Sequence, residues 1–284
     1  MRRASIAFAL VAVTATLTAC GGVRSTVDPV AEAATKTQAA GGVAITLSAS
    51  FGTTGHMLAL EGRGSFDRDQ GQLDLDLSKL LPQSNGLGGS AARMREVFLT
   101  ENGDPVIYLD FPLFSGMLGG KSWLRIDLQQ AGKPLGVDMS RLMKGTGQNP
   151  ADVLALLKAS GGFAPAGRET VDGVATTRYH GTIDLRKAVE QSGLPGEVAK
   201  RLADLGGPSE LPYDVWVDDE GYVRRIAQRY DQTLGGITMS YQTTIGLSDY
   251  GKDVSVTAPP ADQVFDATEL AAKGASELRT TTNG

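Results

Sequence analysis

The sequence predicts an α+β fold in which a large antiparallel sheet is interrupted halfway by helices. Apolar residues recur with a two-residue period in the first and last thirds of the chain, as in Leu73-Asp74-Leu75-Asp76-Leu77. Hairpin-type turns separate these runs with no crossover helix between them, so neighbouring strands are expected to run antiparallel. In the middle, the apolar spacing becomes helical. Of 284 residues 41% are hydrophobic and 21% charged, a balance that buries a sizeable core.

The first nineteen residues stand apart. Met1-Arg2-Arg3 is a short cationic start, and the apolar run Ile6 to Ala19 is too short for a permanent membrane span, so residues 1–19 read as an export signal. Leu17-Thr18-Ala19-Cys20 has an aliphatic residue, two small ones and then the only cysteine of the chain. This resembles the bacterial lipoprotein signal, in which Cys20 would carry a diacylglycerol thioether and become the mature N-terminus. The alternative is a plain secretory signal with an incidental cysteine. With one Cys no disulfide forms within the chain. The formal net charge of −5 becomes more acidic once Arg2 and Arg3 leave with the signal, which argues against nucleic acid as a partner.

Residues 20–27 form a short polar tether before a single domain expected over residues 28–270. Asp28 can cap a helix opened by Pro29, running from Val30 to Ala39 and ended by Gly41-Gly42. Strand alternation then sets in: Val43, Ile45, Leu47, Ala49 and Phe51 fall on one face. It recurs at Leu58 and Leu60, at Leu73 to Leu77, at Ile107, Leu109 and Phe111, and at Leu124, Ile126 and Leu128 against Arg125 and Asp127. The turns between carry Gly52 to Gly55, Asp67 to Gly71 and Glu101 to Asp104.

Helical spacing marks 137–143, 149–160, 184–192 and 195–205. In the second of these Asn149 can cap, Pro150 sits in the first turn, and Val153, Leu154, Leu156 and Leu157 form an apolar stripe. Strands are expected at 168–171 and 176–183 around Asp172-Gly173, at 213–217 and 223–230 around Asp218 to Gly221, and at 236–247. No internal repeat is present. Residues 271–284, rich in Ala, Thr and Gly, are expected to be a disordered tail.

The lipobox Leu17 to Cys20, the stretch from Arg168 to Leu185 (RETVDGVATTRYHGTIDL) and Pro212 to Arg225 (PYDVWVDDEGYVRR) together resemble the actinobacterial lipoproteins of the LppX/LprG group, relatives in architecture of the lipoprotein carrier LolA. The resemblance implies a strongly curved antiparallel sheet, a half-barrel, with helices covering a concave face that holds acyl chains. It implies a membrane-anchored extracytoplasmic protein, attached to the cell membrane through Cys20, that binds a lipid or glycolipid and carries it toward the envelope. It further implies a monomer, with a membrane transporter as a candidate partner.

The inward positions of such a sheet, candidates to line a lipid cavity, are Leu47, Leu58, Leu73, Leu75, Leu77, Leu109, Phe111 and Val215. Met139, Leu142 and Leu156 of the helical insert join them. Each of these side chains has a second reading as ordinary closed core. Phe111 to Gly120, apolar and glycine-rich without a clear period, suits a flap over an apolar opening or a packed hairpin. Met139 and Met143 suit a ligand of variable shape or simply fill gaps.

Catalytic and cofactor readings have little to build on. His56 and His180 are the only histidines, neither at metal spacing from a second ligand, and both read as surface residues. Gly119-Gly120-Lys121-Ser122 lacks the required earlier glycine, since position 115 is Ser, and Trp123 opens a strand. Asp67 to Gly71 and Asp218 to Gly221 lack the bidentate Glu of a calcium loop. No enzyme, metal or cofactor is expected. A second functional reading is an envelope sensor or protein-interaction module on the same fold without lipid cargo, and a third is an inert scaffold.

Overall fold

In the computed structural model, the structure describes residues 28–67, 70–80, 92–112, 115–116, 118–135, 153–154, 157, 162–184 and 209–280. The expected helices at 137–143 and 195–205, and nearly all of that at 184–192, lie outside these residues. Of the 149–160 segment, Val153, Leu154 and Leu157 are described, all helical and buried.

The chain begins with α1 (Pro29–Ala39). Its N-cap is the predicted Asp28, whose Oδ1 accepts from the backbone N–H of Val30 at 2.9 Å and of Ala31 at 3.3 Å. Val30, Ala33, Ala34 and Thr37, at helical spacing, form its buried face. Gly41, at φ +87°, ends it in the left-handed region where a side chain would be strained.

Eleven strands then pair almost entirely as hairpin neighbours: β1 (Val43–Thr53), β2 (His56–Phe66), β3 (Gln70–Asp76), β4 (Arg93–Glu101), β5 (Asp104–Asp110), β6 (Trp123–Asp127), β7 (Ala164–Val171), β8 (Val174–Asp184), β9 (Glu210–Asp218), β10 (Val223–Leu234) and β11 (Ile237–Ser248). A short β12 (Val264–Asp266) completes a 12-stranded sheet of order β12-β6-β5-β4-β3-β2-β1-β11-β10-β9-β8-β7. The sheet is open, with β12 and β7 at its edges, and β1 joins the N-terminal meander to the C-terminal one by pairing with β11.

Register sorts the faces. Ile45 opposes Leu247 and Gly64, Gly64 opposes Leu73, and Leu47 opposes Ile245 and Gly62. One cluster gathers Ile45 of β1, Leu73 and Leu75 of β3, Ile183 of β8, Val215 of β9 and Ile226 of β10 with Val30, Ala33 and Ala34 of α1 and with Val153, Leu154 and Leu157. Strands this far apart in the sheet order reach one cluster because the sheet curls round α1 and the helical residues Val153, Leu154 and Leu157. The convex side carries a smaller cluster of Val97, Val106 and Tyr108. Val256 and Val264 of the returning chain cover it, and Gln70 fixes that chain by hydrogen bonds to Val254 O and Val256 N.

Three expectations need correction. The sheet is not wholly antiparallel, because β12 runs parallel to β6. Leu128 does not continue the alternation of Leu124 and Ile126: Asp127 ends β6 and caps α2 (Leu128–Gly132), accepting at Oδ1 from Gln130 N at 2.9 Å. Asp127 is therefore buried rather than outward. Residues 271–280 are not a disordered tail but part of α3 (Thr268–Thr280), which packs on α2. Asp266 Oδ1 accepts the first helical N–H, of Thr268, while Thr268 Oγ1 accepts Asp127 N; the Ala-rich sequence that follows has high helix propensity.

Asp28 serves two elements, since its Oδ2 also accepts the backbone N–H of Phe163 at 3.1 Å. Asp28→Ala should lower unfolding free energy by about 1–2 kcal/mol in urea titrations followed by circular dichroism. Asp28→Asn, which keeps an acceptor oxygen, should lose less.

Candidate functional site

The candidate site is the concave face, built by the even-numbered residues of β2 and the odd-numbered ones of β1 and β3. Pairing places Leu47, Leu58, Leu73, Leu75, Leu109 and Val215 on it, with Leu77 and Phe111 at strand ends in the same alternation. Their burial differs. Val215 is fully buried within the core cluster, as are most of Leu73 and Leu75. Leu47 and Leu77 are half-buried against that cluster, Leu109 and Phe111 are half-buried, and Leu58 is 41% exposed near the β1–β2 turn. Met139, Leu142 and Leu156 lie outside the described residues, as does Cys20.

Glycines deepen the face. A Cβ at Gly62 would meet Leu75 Cδ2 at 2.7 Å, and one at Gly181 would meet the Phe163 ring at 2.6 Å. Leu75 and Phe163 therefore lie flat over backbone that carries no side chain.

Two polar groups that sequence reading missed sit among these apolar side chains. Glu96 lies between Leu73 and Leu109 in the register, and across β1 to β5 it is the one Asp, Glu, Lys or Arg on this face among the described residues. Burial holds its carboxyl above the ordinary carboxylate range, and no hydrogen bond or ion pair to a described residue opposes that shift. The signal was present as a break in alternation, Met94-Arg-Glu96-Val-Phe98, where the inward series reads Met, Glu, Phe. Gln228, opposite Tyr213 and Thr243, has a buried Nε2 without a hydrogen-bond partner among the described residues. Beside it Tyr230 stacks on Tyr241 with ring centroids 4.8 Å apart, and burial pushes the Tyr213 hydroxyl up to about 12. The face is thus apolar at β1 to β3, with a carboxyl on β4 and an aromatic, hydrogen-bonding patch on β9 to β11.

The residues weighed for catalysis lie at the surface, as the sequence predicts. His56 is exposed, and His180 is exposed beside Asp214 Oδ1 at 3.2 Å. Asp74 pairs with Arg95 on the convex side. Among the described residues no three His, Cys, Asp or Glu side chains converge as for a metal. In the Phe111 to Gly120 segment Ser115 N donates to Pro112 O and Leu118 N to Ser115 O, and Lys121 N beyond it donates to Leu118 O. Residues 113, 114 and 117 of it lie outside the description.

No protein-family model matches the chain. Comparison with curated proteins finds an uncharacterised 31.2 kDa protein of Streptomyces griseus, 29% identical over 201 residues, covering 68% of this chain and 62% of that protein. It also finds a Streptomyces coelicolor protein described as a "Putative lipoprotein", 28% identical over 166 residues, covering 57% of this chain and 48% of that one. The chain is similar to actinobacterial lipoproteins. It spans about half to two-thirds of the length of these curated relatives. Among solved structures, LprF from Mycobacterium bovis superposes with a TM-score of 0.43 at 15% identity, over 81% of this chain and 95% of that one. Mycobacterium tuberculosis lipoprotein LppX gives 0.36 at 17% identity, over 81% of this chain and 100% of that one. Both superpositions are loose, and the fold assignment rests on the chain's own strand register.

The Glu96 environment has a measurable sign. A carboxyl whose folded-state pKa is raised binds protons more readily folded than unfolded, so its contribution favours folding as pH falls from above that value toward the ordinary carboxylate range near 4.5. Glu96→Gln should raise the melting temperature at neutral pH and flatten that part of the stability–pH curve. An unchanged curve in thermal scans between pH 7 and pH 5 would show that the carboxyl is not held in an apolar setting.

Proposed function

We propose that this protein is an extracytoplasmic lipoprotein, held on the cell membrane by a diacylglyceryl group on Cys20, that binds the acyl chains of a lipid or glycolipid against the concave face of its sheet and carries it toward the envelope. The observation that supports this best is the composition of that face: Leu47, Leu58, Leu77, Leu109 and Phe111 remain only half-buried or exposed, although their alternation turns them inward. Side chains in a closed core would be covered; here apolar surface is left for another apolar body to cover.

Transfer from bilayer to protein exchanges one apolar environment for another. Each methylene is worth about 0.8 kcal/mol against water in either place, so loading and release are nearly balanced. Glu96, Gln228 and the hydroxyls of Tyr213, Tyr230 and Tyr241 are then the groups available to hydrogen-bond the polar part of the ligand. Burial shifts the Glu96 carboxyl toward its protonated form, which can donate to an ester carbonyl or a hydroxyl, while the ionised form accepts from a ligand hydroxyl.

Two measurements test the reading. Intact-mass analysis of the membrane-extracted protein should show a diacylglyceryl increment that Cys20→Ser lacks. Solvent extraction of the purified protein followed by mass spectrometry should recover a stoichiometric lipid, and Leu75→Trp should abolish the recovery while the circular dichroism spectrum is kept. Absence of lipid from protein made in several hosts, together with unfolding of Leu75→Trp, would favour a closed core and the alternative of a protein-interaction module.

A further inference from the structure

The polar groups of the concave face fall into two separate places. Glu96 is on β4 and Gln228 on β10, and in the sheet order β4-β3-β2-β1-β11-β10 five strand intervals divide them, about 24 Å along the sheet at roughly 4.8 Å each. They also differ in level. Through the register Glu96 aligns with Leu73, Gly64, Ile45 and Leu247, whereas Gln228 aligns with Thr243 and Ala49. Ile45 and Ala49 are four residues apart on β1, about 13 Å at roughly 3.3 Å each.

The interval between them is apolar. From Gly71 to Leu75 on β3, Leu58 to Phe66 on β2 and Val43 to Phe51 on β1, every position of this face is Gly, Ala, Val, Leu, Ile or Phe. Ile45, Leu73 and Leu247 within it are buried in the cluster that α1 closes, so a compact headgroup at Gln228 does not extend to Glu96. What joins the two places is an uncovered apolar track, since Leu47, Leu60, Leu77 and Met94 are only half-buried against that cluster.

The two places differ in kind as well. At Gln228 the side chains of Tyr213 and Thr243 stand opposite the amide, and the stacked Tyr230–Tyr241 pair follows two residues along, so several donors and acceptors are offered together. Glu96 is single. Its register neighbours are Leu73 and Leu109, Met94 and Phe98 precede and follow it on the same face of β4, and Leu124 lies beyond Leu109. It is half-buried rather than sealed in the core, and among the described residues no donor or cation meets its carboxyl. A carboxyl in such surroundings is costly unless a partner hydrogen-bonds it. A hydroxyl both donates and accepts, and so satisfies either protonation state.

We propose that the lipid bound on the concave face carries a hydroxyl part-way along an acyl chain and that Glu96 selects it, with the headgroup at Gln228 and the chain lying along Leu60, Leu47 and Met94 between them. This rests on the lipid-binding reading above and narrows its ligand to lipids with a hydroxylated long chain. An unsubstituted chain would set methylenes against the carboxyl and leave it unpaired, which counts against that ligand.

Two lipids that differ by this one group make the test: monooleoylglycerol and monoricinoleoylglycerol, the second being the first with one mid-chain hydroxyl. Full-length lipidated protein in detergent is offered both at equal concentration, and native mass spectrometry reads the ratio in which they are bound. Glu96→Leu should lower the ratio of hydroxylated to plain lipid about tenfold relative to the unaltered protein. Glu96→Met, closer to glutamate in length, should do the same, while Glu96→Gln, which keeps a donor and an acceptor, should retain most of the ratio. Gln228→Leu should leave it unchanged. Equal ratios in the unaltered protein and both apolar variants, with lipid bound in each, would overturn selection by Glu96 and leave the lipid-binding reading standing. A fall in Gln228→Leu as large as in Glu96→Leu overturns it too, because the headgroup place would then be reading the hydroxyl. Folded, unaltered protein that binds neither lipid refutes the lipid-binding reading and this inference with it.

Discussion

The ladder between β1 and β11 is the constraint on which the concave face depends. It runs from Ala44 opposite Ser248 to Gly52 opposite Ser240 and makes one sheet out of two meanders that lie far apart in sequence. Without it Leu73 and Val215 would belong to different layers. With it they share one cluster with Val30, Ala33 and Ala34 of α1 and with Val153, Leu154 and Leu157. Pairing so distant in sequence is slow to form and gains nothing until both meanders exist. The local hairpins, with Asn102, Asp172 and Gly173 at positive φ, are the elements that form without it.

Much of this was legible because period-two patterning and turn chemistry are local. Asp28 capping α1, the outward Asp74 and Asp76, and the hairpins at Gly103, Gly173 and Gly221 follow from residues within a few positions of each other. What failed did so for non-local reasons. Asp127 looks like an outward strand residue until Thr268, far along the chain, supplies the hydroxyl that fixes its backbone N–H. The last thirteen-residue helix reads as a fraying tail until α2 offers it a surface. β12 has three residues, too few to show a period, and is held by Arg125, which bridges Glu101 and Asp266.

The site was legible in outline and not in its chemistry. Alternation identified which leucines turn inward, since a face needs only parity. It could not say which of them are covered, because covering depends on helices from elsewhere in the chain: Val215 is sealed by the core while Leu58, on the same face, is open. Glu96 and Gln228 were passed over because a polar residue at an inward position looks like a pattern error in one strand. It becomes a feature only when neighbouring strands show Leu73 and Leu109 on either side of the carboxyl.

The edges of the open sheet bear on how the protein behaves among its own copies. β7 is exposed along nearly its whole length, but Pro165 removes a donor and the register shift between Pro165 and Gly167 interrupts the ladder. The opposite edge is the three-residue β12, beside which α3 begins. Neither edge offers a long flat template for another strand. Held on a membrane by the anchor proposed above, copies of the protein would meet at far higher local concentration than the same number of molecules in solution, and always in related orientations. A sheet of twelve strands that ended in a clean edge would polymerise laterally under those conditions; this one ends in a bulge and a stub.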